Sequence, residues 1–421
     1  MTKAGAEILA QLTENDKTML RGIYRLRALD ESLMQRFFYA SEDDGINEFT
    51  RKRIQWFVRQ EVLGIEEYGE DQCSFYLTQR GIQIARELFD KTLYTVNREG
   101  KKVYEVTAGM LRPAKKLLNH QLHLNALALD IKQRCHLSED CYKDSKFADA
   151  FTYAQPDGVF ELPDMDIFLE MDMAHERVAE LLRKWEHYRT YLSSRDYYLR
   201  RNKKIVVLFA TENIKSGLAL RRSKVLESLA RGAFDLFNDR FDCYIGPSDK
   251  LAVLAKHLIA KQNSFSEAGY FLQSQFGFSF SHPTTVREKC GEEYLYMRQL
   301  TERRQVAIRD GCPQHFFVAN YLERPVSILH RIAVYPQTTA LLRSVTKNPI
   351  PLLVLVPNED MIYRDLRAVN ALGVPNIYYT TMKRLKEFPF PEALFSFDQT
   401  GNRFHFTDYA FSEKKHEKRG R

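Results

Sequence analysis

The spacing of apolar residues changes along the chain and predicts segments of different fold. Between residues 13 and 60 apolar residues recur at helical spacing in three stretches, and Thr13 is a suitable N-cap for the first of them. Two short runs, 63–68 and 74–77, then flank a polar turn, Gly69-Glu70-Asp71-Gln72. This order predicts a winged helix-turn-helix over residues 13–95.

The third predicted helix, residues 46–60, is apolar on one side and basic on the other. A basic helix that also carries Thr and Gln can enter the major groove of DNA. The predicted DNA-contacting residues are Thr50, Arg51, Arg53, Gln55 and Arg59. The alternatives are a helix that binds protein and a charged face that is only solvated. Acidic residues near the wing tip, Glu67, Glu70 and Asp71, argue against a wing that grips the DNA backbone.

A second pattern begins at the turn Pro156-Asp157-Gly158. Two short apolar runs follow this turn, and they flank a second turn that contains Pro163 and Asp164. If the hairpin turns at Asp164 and Met165, Asp157 lies opposite Asp172. Side chains alternate along a strand, so Asp157, Glu170 and Asp172 are expected on one face. The next predicted helix carries acidic, basic and aromatic residues at four-residue steps. These residues are Glu176, Glu180, Lys184 and Tyr188.

Three carboxylates and a lysine beside a sheet suit a Mg²⁺-dependent phosphodiesterase, because hard cations prefer oxygen ligands. In that hypothesis Asp157, Glu170 and Asp172 are the metal ligands, and Lys184 orients the attacking water. The alternative is a polar strand edge in water beside a salt-bridged helix. Spacing alone leaves both open.

The order of these residues resembles the PD-(D/E)xK nuclease fold and, more narrowly, the replication-relaxation family of plasmids and integrative elements. That family joins an N-terminal winged helix to such a domain and carries a PDG turn, an E-x-D-x-G-T-E stretch and a later K-x-x-x-Y. The matching residues here are Pro156, Asp157, Gly158, Glu170, Asp172, Glu176, Lys184 and Tyr188. Ala174 and His175 stand where the family tends to have Gly-Thr, and Asp172 stands where nucleases usually have lysine. The resemblance implies that cleavage depends on Lys184.

The resemblance also implies neighbours for this site. A helix predicted near residues 114–135 should pack beside the acidic hairpin and bring His123 and Asn125 close to it. These two residues and Glu176 are second-rank site residues. A histidine on a helix is more often structural, and no second ligand at the i+4 position supports metal binding.

Continuous apolar strands alternate with helices through residues 112–262, which predicts a mixed sheet buried on both faces. This is the central, PD-(D/E)xK-like α/β domain. Arg221, Arg222 and Lys224 begin one of its helices and either face solvent or follow a phosphate backbone. The basic stretch 97–116 is expected to be the connector that precedes the domain.

Residues 290–411 repeat this order, with an expected helix at 292–309 and an expected hairpin of 316–321 with 328–334. Further helices are expected at 338–346, 361–372 and 382–388, and further strands at 352–356 and 376–380. The predicted fold class is therefore α+β, ending in a second α/β domain. Either it is a degenerate nuclease-like copy without metal ligands, or the similarity of pattern is accidental. Residues 412–421 form a basic tail.

Composition narrows the class of protein. The 421 residues are 44% hydrophobic and 28% charged with a formal net charge of +7, which permits a polyanionic partner without requiring one. Six scattered cysteines without a C-x-x-C pair indicate reduced thiols in a cytoplasm. No signal peptide or membrane-spanning run is expected, and no membrane is predicted as a partner.

Three functions remain open. The first is a sequence-specific DNA-binding protein of a mobile element, acting in plasmid replication, relaxation, transfer or transcription control. The second is an active endonuclease or nickase that uses Mg²⁺, and the third is a regulator that binds only proteins. Double-stranded DNA, a relaxase or replication protein, and a second copy of the chain are the expected partners, because winged helices commonly read paired half-sites.

Overall fold

The computed structural model describes residues 3–39, 48–69, 72–89, 94–96, 102–148, 151–174, 176–212, 217–262, 266–281, 306–309, 315–337, 350–390 and 392–405. They form a mixed α and β structure with sheets of three, five, seven and two strands. Within these ranges, no helix is both long and apolar enough to cross a membrane.

The N-terminal part packs helices around a three-stranded antiparallel sheet of order β1-β3-β2. Thr13 caps the second helix as expected, and its Oγ1 accepts a hydrogen bond from the Asp16 amide at 3.2 Å. The three predicted helices and the hairpin are present. Their bounds are α1 Lys3–Ala10, α2 Glu14–Leu26, β1 Leu29–Asp30, α3 Glu31–Phe38, α4 Glu48–Arg59, β2 Leu63–Gly69, β3 Gln72–Leu77 and α5 Gln79–Phe89.

A short connection leads from this part to the central sheet. The described residues around the predicted connector form a strand pair, a one-turn helix and a 3₁₀ turn at Lys115–Leu117. The strands and the helix are β4 Tyr94–Val96, β5 Lys102–Glu105 and α6 Ala108–Leu111.

The central sheet has the order β10-β9-β8-β7-β6 and is mixed, because β8, β9 and β10 are parallel and β6, β7 and β8 are antiparallel. Every residue of β8 is buried, as expected for a strand covered on both faces. Helices α7 and α11 cover one face, while α8 and α10 cover the other. The bounds are α7 Leu118–Cys135, β6 Tyr142–Asp144, β7 Gly158–Glu161, β8 Met165–Asp172, α8 Val178–Leu192, α9 Arg195–Leu199, β9 Lys204–Thr211, α10 Leu218–Gly232, β10 Phe241–Gly246 and α11 Ser248–Ile259.

The C-terminal part is built on a seven-stranded sheet whose strands follow chain order. The predicted strand near residue 352, the helix near 361, the strand near 377 and the helix near 382 are present. The bounds are α12 Ser266–Phe276, β11 Phe278–Ser281, β12 Val306–Arg309, β13 His315–Asn320, α13 Val326–Ala333, β14 Leu352–Leu355, α14 Glu359–Ala368, β15 Ile377–Thr380, α15 Met382–Glu387, β16 Phe395–Phe397 and β17 Arg403–His405.

Two predictions in this part are wrong. The expected second hairpin strand at residues 328–334 is largely the helix α13, which starts directly after Pro325 and buries Ile328, Leu329 and Ile332 at helical spacing. Residues 306–309, expected to end a helix, form strand β12 instead and pair with β11 and β13. The rest of that helix, the helix at 338–346 and the basic tail lie outside the described residues.

Helix α10 links the central and C-terminal sheets. Arg222 was predicted to be on a solvated face, but it is buried and its Nε lies 3.1 Å from Asp365 Oδ1 on α14. The same carboxylate accepts hydrogen bonds from Arg324 at 2.8 Å and from the Tyr321 hydroxyl at 2.7 Å. These buried contacts and a shared apolar core join the two sheets.

Candidate functional site

The acidic hairpin turns one residue earlier than predicted. The Leu162 amide donates to the Met165 carbonyl at 2.9 Å, so the turn is at Pro163 and Asp164. Proline sets the backbone angle that the first turn position needs, which favours this register. As a result Gly158 pairs with Leu169, and the expected pairing of Asp157 with Asp172 is wrong. The Asp157 amide donates to the Leu169 carbonyl at 3.1 Å, which places Asp157 beside Glu170.

Glu170 lies on the face of the sheet that α8 covers. Its side chain is fully buried, and Lys184 Nζ on α8 lies 2.8 Å from its Oε2. The Tyr188 hydroxyl, one helical turn after Lys184, donates to its Oε1. Burial raises the pKa of Glu170 to about 7, Lys184 opposes the rise and the nearby Asp157 charge adds to it. Glu170 is therefore a carboxyl that can hold a proton near neutral pH.

Asp157 contacts both strand β8 and helix α7. Its Oδ2 accepts from the Met171 amide at 2.8 Å and lies 3.3 Å from His120 Nε2 on α7. Burial raises the pKa of Asp157, but the charge of Lys184 and the His120 contact outweigh it and hold the pKa below its usual value. Asp157 in turn changes the pKa of His120. Burial lowers the pKa of His120, but its contact with Asp157 raises that pKa above its usual value.

Lys184 forms ion pairs with two of the acidic residues. Its ammonium contacts Glu170 and also lies 3.0 Å from Glu176 Oε1. Burial disfavours its charge, yet Glu170, Asp157 and Glu176 together raise the pKa of Lys184 above its usual value. A permanently charged lysine inside an acidic group neutralises it and is a poor proton donor or acceptor.

Asp172 lies on the same face of β8 as Glu170, two residues further along the strand, and is bound by α10. Arg221 donates to both of its carboxylate oxygens, from Nη2 at 2.8 Å and from Nε, and the Ala174 amide donates at 2.9 Å. Arg221 Nη1 also donates to the Glu176 carbonyl at 3.0 Å. Arg221 was predicted to face solvent or a phosphate backbone, but it is buried against this carboxylate instead.

In the arrangement observed, these carboxylates do not form a binding site for the predicted Mg²⁺ ion. A hard cation needs carboxylate oxygens free to coordinate it. Both oxygens of Asp172 are bound by Arg221, and Glu170 is bound by Lys184 and Tyr188. Across the described residues, no group of three or more His, Cys, Asp or Glu side chains is placed to hold a metal ion. The second-rank residue Glu176 is likewise paired with Lys184.

The two second-rank residues on α7 have different surroundings from those expected. Asn125 is fully buried, and its amide donates to the carbonyls of Leu26 at 2.9 Å and Ala28 at 2.6 Å. It therefore fixes the N-terminal part against α7. His123 contacts the Asn119 carbonyl of its own helix at 2.8 Å, and His120, one turn earlier, is the histidine at Asp157.

Three residues that contact the acidic side chains, Tyr188, His120 and Arg221, were not predicted as site residues. Tyr188 belongs to the matched K-x-x-x-Y pattern, and its four-residue step from Lys184 was the available signal. His120 lies on the helix that was expected beside the hairpin, so the helix was identified but not the residue. Arg221 gave no local signal, because it pairs with a carboxylate 49 residues away in sequence.

The outward face of α4 differs in part from the predicted DNA-contacting set. Thr50 is buried and donates to Gln35, and Arg53 is bound to the buried Asp16 at 2.6 Å. Both residues are therefore part of the packing around α4. Arg53 also stacks on Trp56, with its guanidinium 4.2 Å from the ring centre. The exposed polar residues of α4 are Glu48, Arg51, Lys52, Gln55 and Arg59.

Comparison with known proteins adds one match. Residues 20–208 match the model of the family described as replication-relaxation. No curated protein and no solved structure is significantly similar to the chain. The matched stretch is slightly less than half of the chain and includes α4, the acidic hairpin and α8. It supports the resemblance drawn from the hairpin motifs.

Proposed function

We propose that the protein binds double-stranded DNA of a plasmid or other mobile element through α4, in replication, relaxation, transfer or transcription control. The observation that carries the proposal is the exposed face of α4, where Arg51, Lys52, Gln55 and Arg59 lie on one side of the helix. Arginine and glutamine are suited to base edges, and arginine and lysine to phosphates. The family match over residues 20–208 supports the same role.

The order of elements supports a winged helix-turn-helix as the DNA-binding unit. A helix, a short strand, two further helices and a hairpin follow one another from α2 to β3. In this order α4 takes the position of the recognition helix, because it directly precedes the hairpin that forms the wing. Its buried side packs on α3 and β2, and among the described residues its opposite side is exposed to solvent and available to the major groove.

The central sheet is proposed to be a PD-(D/E)xK-like scaffold that does not cut DNA. Its acidic residues are neutralised from within the protein, since Lys184 holds Glu170 and Arg221 holds Asp172. A buried ion pair of this kind is costly to break, because removal of one partner leaves an uncompensated charge. The cluster therefore serves to hold α8 and α10 on the sheet.

A metal-dependent endonuclease is the second candidate. One observation favours it, which is that Asp157, Glu170 and Lys184 approach one another beside a sheet. Activity of this kind requires Glu170 to be released from Lys184 before it can bind a cation. No step through a metal ion follows from the arrangement observed.

One experiment separates the candidates. Purified protein is incubated with supercoiled plasmid and Mg²⁺ or Mn²⁺, and both the mobility and the topology of the plasmid are recorded. We expect retarded plasmid that remains supercoiled, and we expect Arg51→Ala with Gln55→Ala to reduce the retardation. Nicking that is lost in both Asp157→Ala and Glu170→Ala favours the endonuclease. If the protein does not retard the plasmid, it belongs to the class of regulators that bind only proteins.

A further inference from the structure

The hairpin that follows α4 is a poor ligand for DNA by itself. Its edge strand β2 carries Glu66 and the exposed Glu67 in succession. Exposed carboxylates repel the phosphate backbone that a wing normally contacts. If α4 lies in the major groove, a different element must supply positive charge beside the hairpin.

The start of the central domain packs on this hairpin. Arg112 forms an ion pair with Glu66, and its guanidinium lies 4.6 Å from the centre of the Tyr76 ring on β3. Glu66 and Tyr76 lie on the same face of the hairpin, because Gly64 pairs with Tyr76 and Glu66 with Ser74. Arg112 therefore neutralises one wing carboxylate and fixes the chain that follows it against the sheet.

Lys115 and Lys116, three and four residues after Arg112, face solvent at this junction. The 3₁₀ turn Lys115–Leu117 contacts β2, and the side chains of Lys115 and Lys116 are exposed. Within the part of the chain that the structure describes, neither lysine has a carboxylate within ion-pair distance. A pair of exposed lysines held on a fixed turn, without an internal partner, is available to an external anion.

This turn and helix α4 contact the same strand, β2. Helix α4 ends at Arg59, and the Val62 amide donates back to the Phe57 carbonyl at 3.0 Å just before β2 begins. The exposed end of α4 and the lysine turn therefore both adjoin β2. Duplex DNA carries one phosphate charge per roughly 1.7 Å of its axis, so a helix in the groove brings phosphates to the neighbouring surface.

We propose that Lys115 and Lys116 bind the phosphate backbone of the duplex that α4 contacts, in place of the acidic wing. This inference rests on the proposed DNA-binding function. In this arrangement α4 supplies contacts to bases, and the lysine turn supplies sequence-independent contacts to phosphates. The connector between the two domains is thus part of the DNA-binding surface.

Fluorescence anisotropy with a labelled mixed-sequence duplex, measured over a range of salt concentrations, tests the proposal. Each phosphate contact contributes about 0.9 to the slope of log affinity against log salt concentration. For the full-length Lys115→Ala, Lys116→Ala variant we expect a slope that is less steep by about 2 and weaker binding at every salt concentration. The Lys115→Arg, Lys116→Arg variant should retain the wild-type slope.

A matched control is Lys383→Ala with Lys386→Ala, which removes two exposed lysines from α15 on the C-terminal sheet. It should leave the slope unchanged. If the wild type binds the duplex and the Lys115, Lys116 variant behaves as the control does, the lysine turn is not part of the surface, while the role of α4 stands. If the wild type itself does not bind the duplex, both proposals fail.

Discussion

Arg221 on α10 holds Asp172 at the end of β8 through both carboxylate oxygens, and both side chains are buried. This pair decides how the acidic hairpin is interpreted. The hairpin motif predicts Asp172 as a metal ligand, whereas its oxygens are bound by an arginine from a distant helix. The same pair therefore stabilises the scaffold and removes a ligand from the predicted metal site.

Replacement of Arg221 tests this stabilising role. Arg221→Ala leaves the Asp172 charge buried without its partner, so we expect the free energy of unfolding to fall by about 3 to 5 kcal/mol in urea titration. Arg231→Ala, at the exposed end of the same helix, is the control and should change it by less than about 0.5 kcal/mol. Equal effects of the two substitutions would show that the Asp172 contact contributes little.

The pH dependence of stability tests the environment of Glu170. Its pKa is raised from 4.5 to about 7 in the folded protein, so the folded state keeps a proton that the unfolded state has released between these values. The contribution of Glu170 to stability is therefore complete below about pH 4.5 and is lost as the pH rises to about 7. Glu170→Gln should remove this part of the pH dependence.

Unfolding in urea at several pH values between 4.5 and 8 measures this effect. The exposed Glu186→Gln on α8 is the control and should keep the wild-type profile. A Glu170→Gln profile that is parallel to the wild-type profile would mean that Glu170 titrates normally in the folded protein.

The backbone at Ala174 gives a third prediction. Ala174 has a φ of 61°, in the left-handed region where alanine is strained and glycine is not. It occupies the position where the replication-relaxation family tends to have glycine. We expect Ala174→Gly to raise the free energy of unfolding by up to about 1 kcal/mol. Ala126→Gly, within α7, should lower it by about 1 kcal/mol, and a loss of similar size at Ala174 would refute the assignment of strain.

Two of the arginines of α4, Arg53 and Arg51, should differ in their effects on the stability of the protein. Arg53 is bound to the buried Asp16, so Arg53→Ala is expected to lower the free energy of unfolding by about 3 kcal/mol. Arg51 is exposed and its ion pair with Glu31, at 3.2 Å, is at the surface, so Arg51→Ala should change stability by less than about 1 kcal/mol. Thermal unfolding of the two variants measures the difference, and equal losses would contradict the assignment of Arg53 to the fold.

Local patterns predicted most elements of the N-terminal and central parts. Apolar spacing identified α2, α4 and the strand β9, because each has a regular buried side. It failed at residues 328–334, where a short apolar run fits a strand as well as a helix. There Pro325 was the missed signal, since proline commonly precedes the first turn of a helix.

Side-chain partners from distant parts of the chain could not be predicted in the same way. Thr50 and Arg53 are polar, and the sequence therefore placed them on the outer side of α4, yet they bind the buried residues Gln35 and Asp16. Asp172 was assigned to a metal for the same reason, since its partner Arg221 lies on a later helix. In each case a buried polar residue is paired, and the sequence does not identify the pair.

The most direct measurement is the affinity of the full-length protein for a labelled duplex, compared between the wild type and Arg51→Ala with Arg59→Ala. Loss of two contacts from the exposed face of α4 should weaken binding by roughly tenfold or more and reduce its salt dependence. The Lys383→Ala, Lys386→Ala variant, which removes the same amount of positive charge elsewhere, should bind as the wild type does. Equal affinities for all three proteins, or no binding by the wild type, would contradict a DNA-binding role for α4.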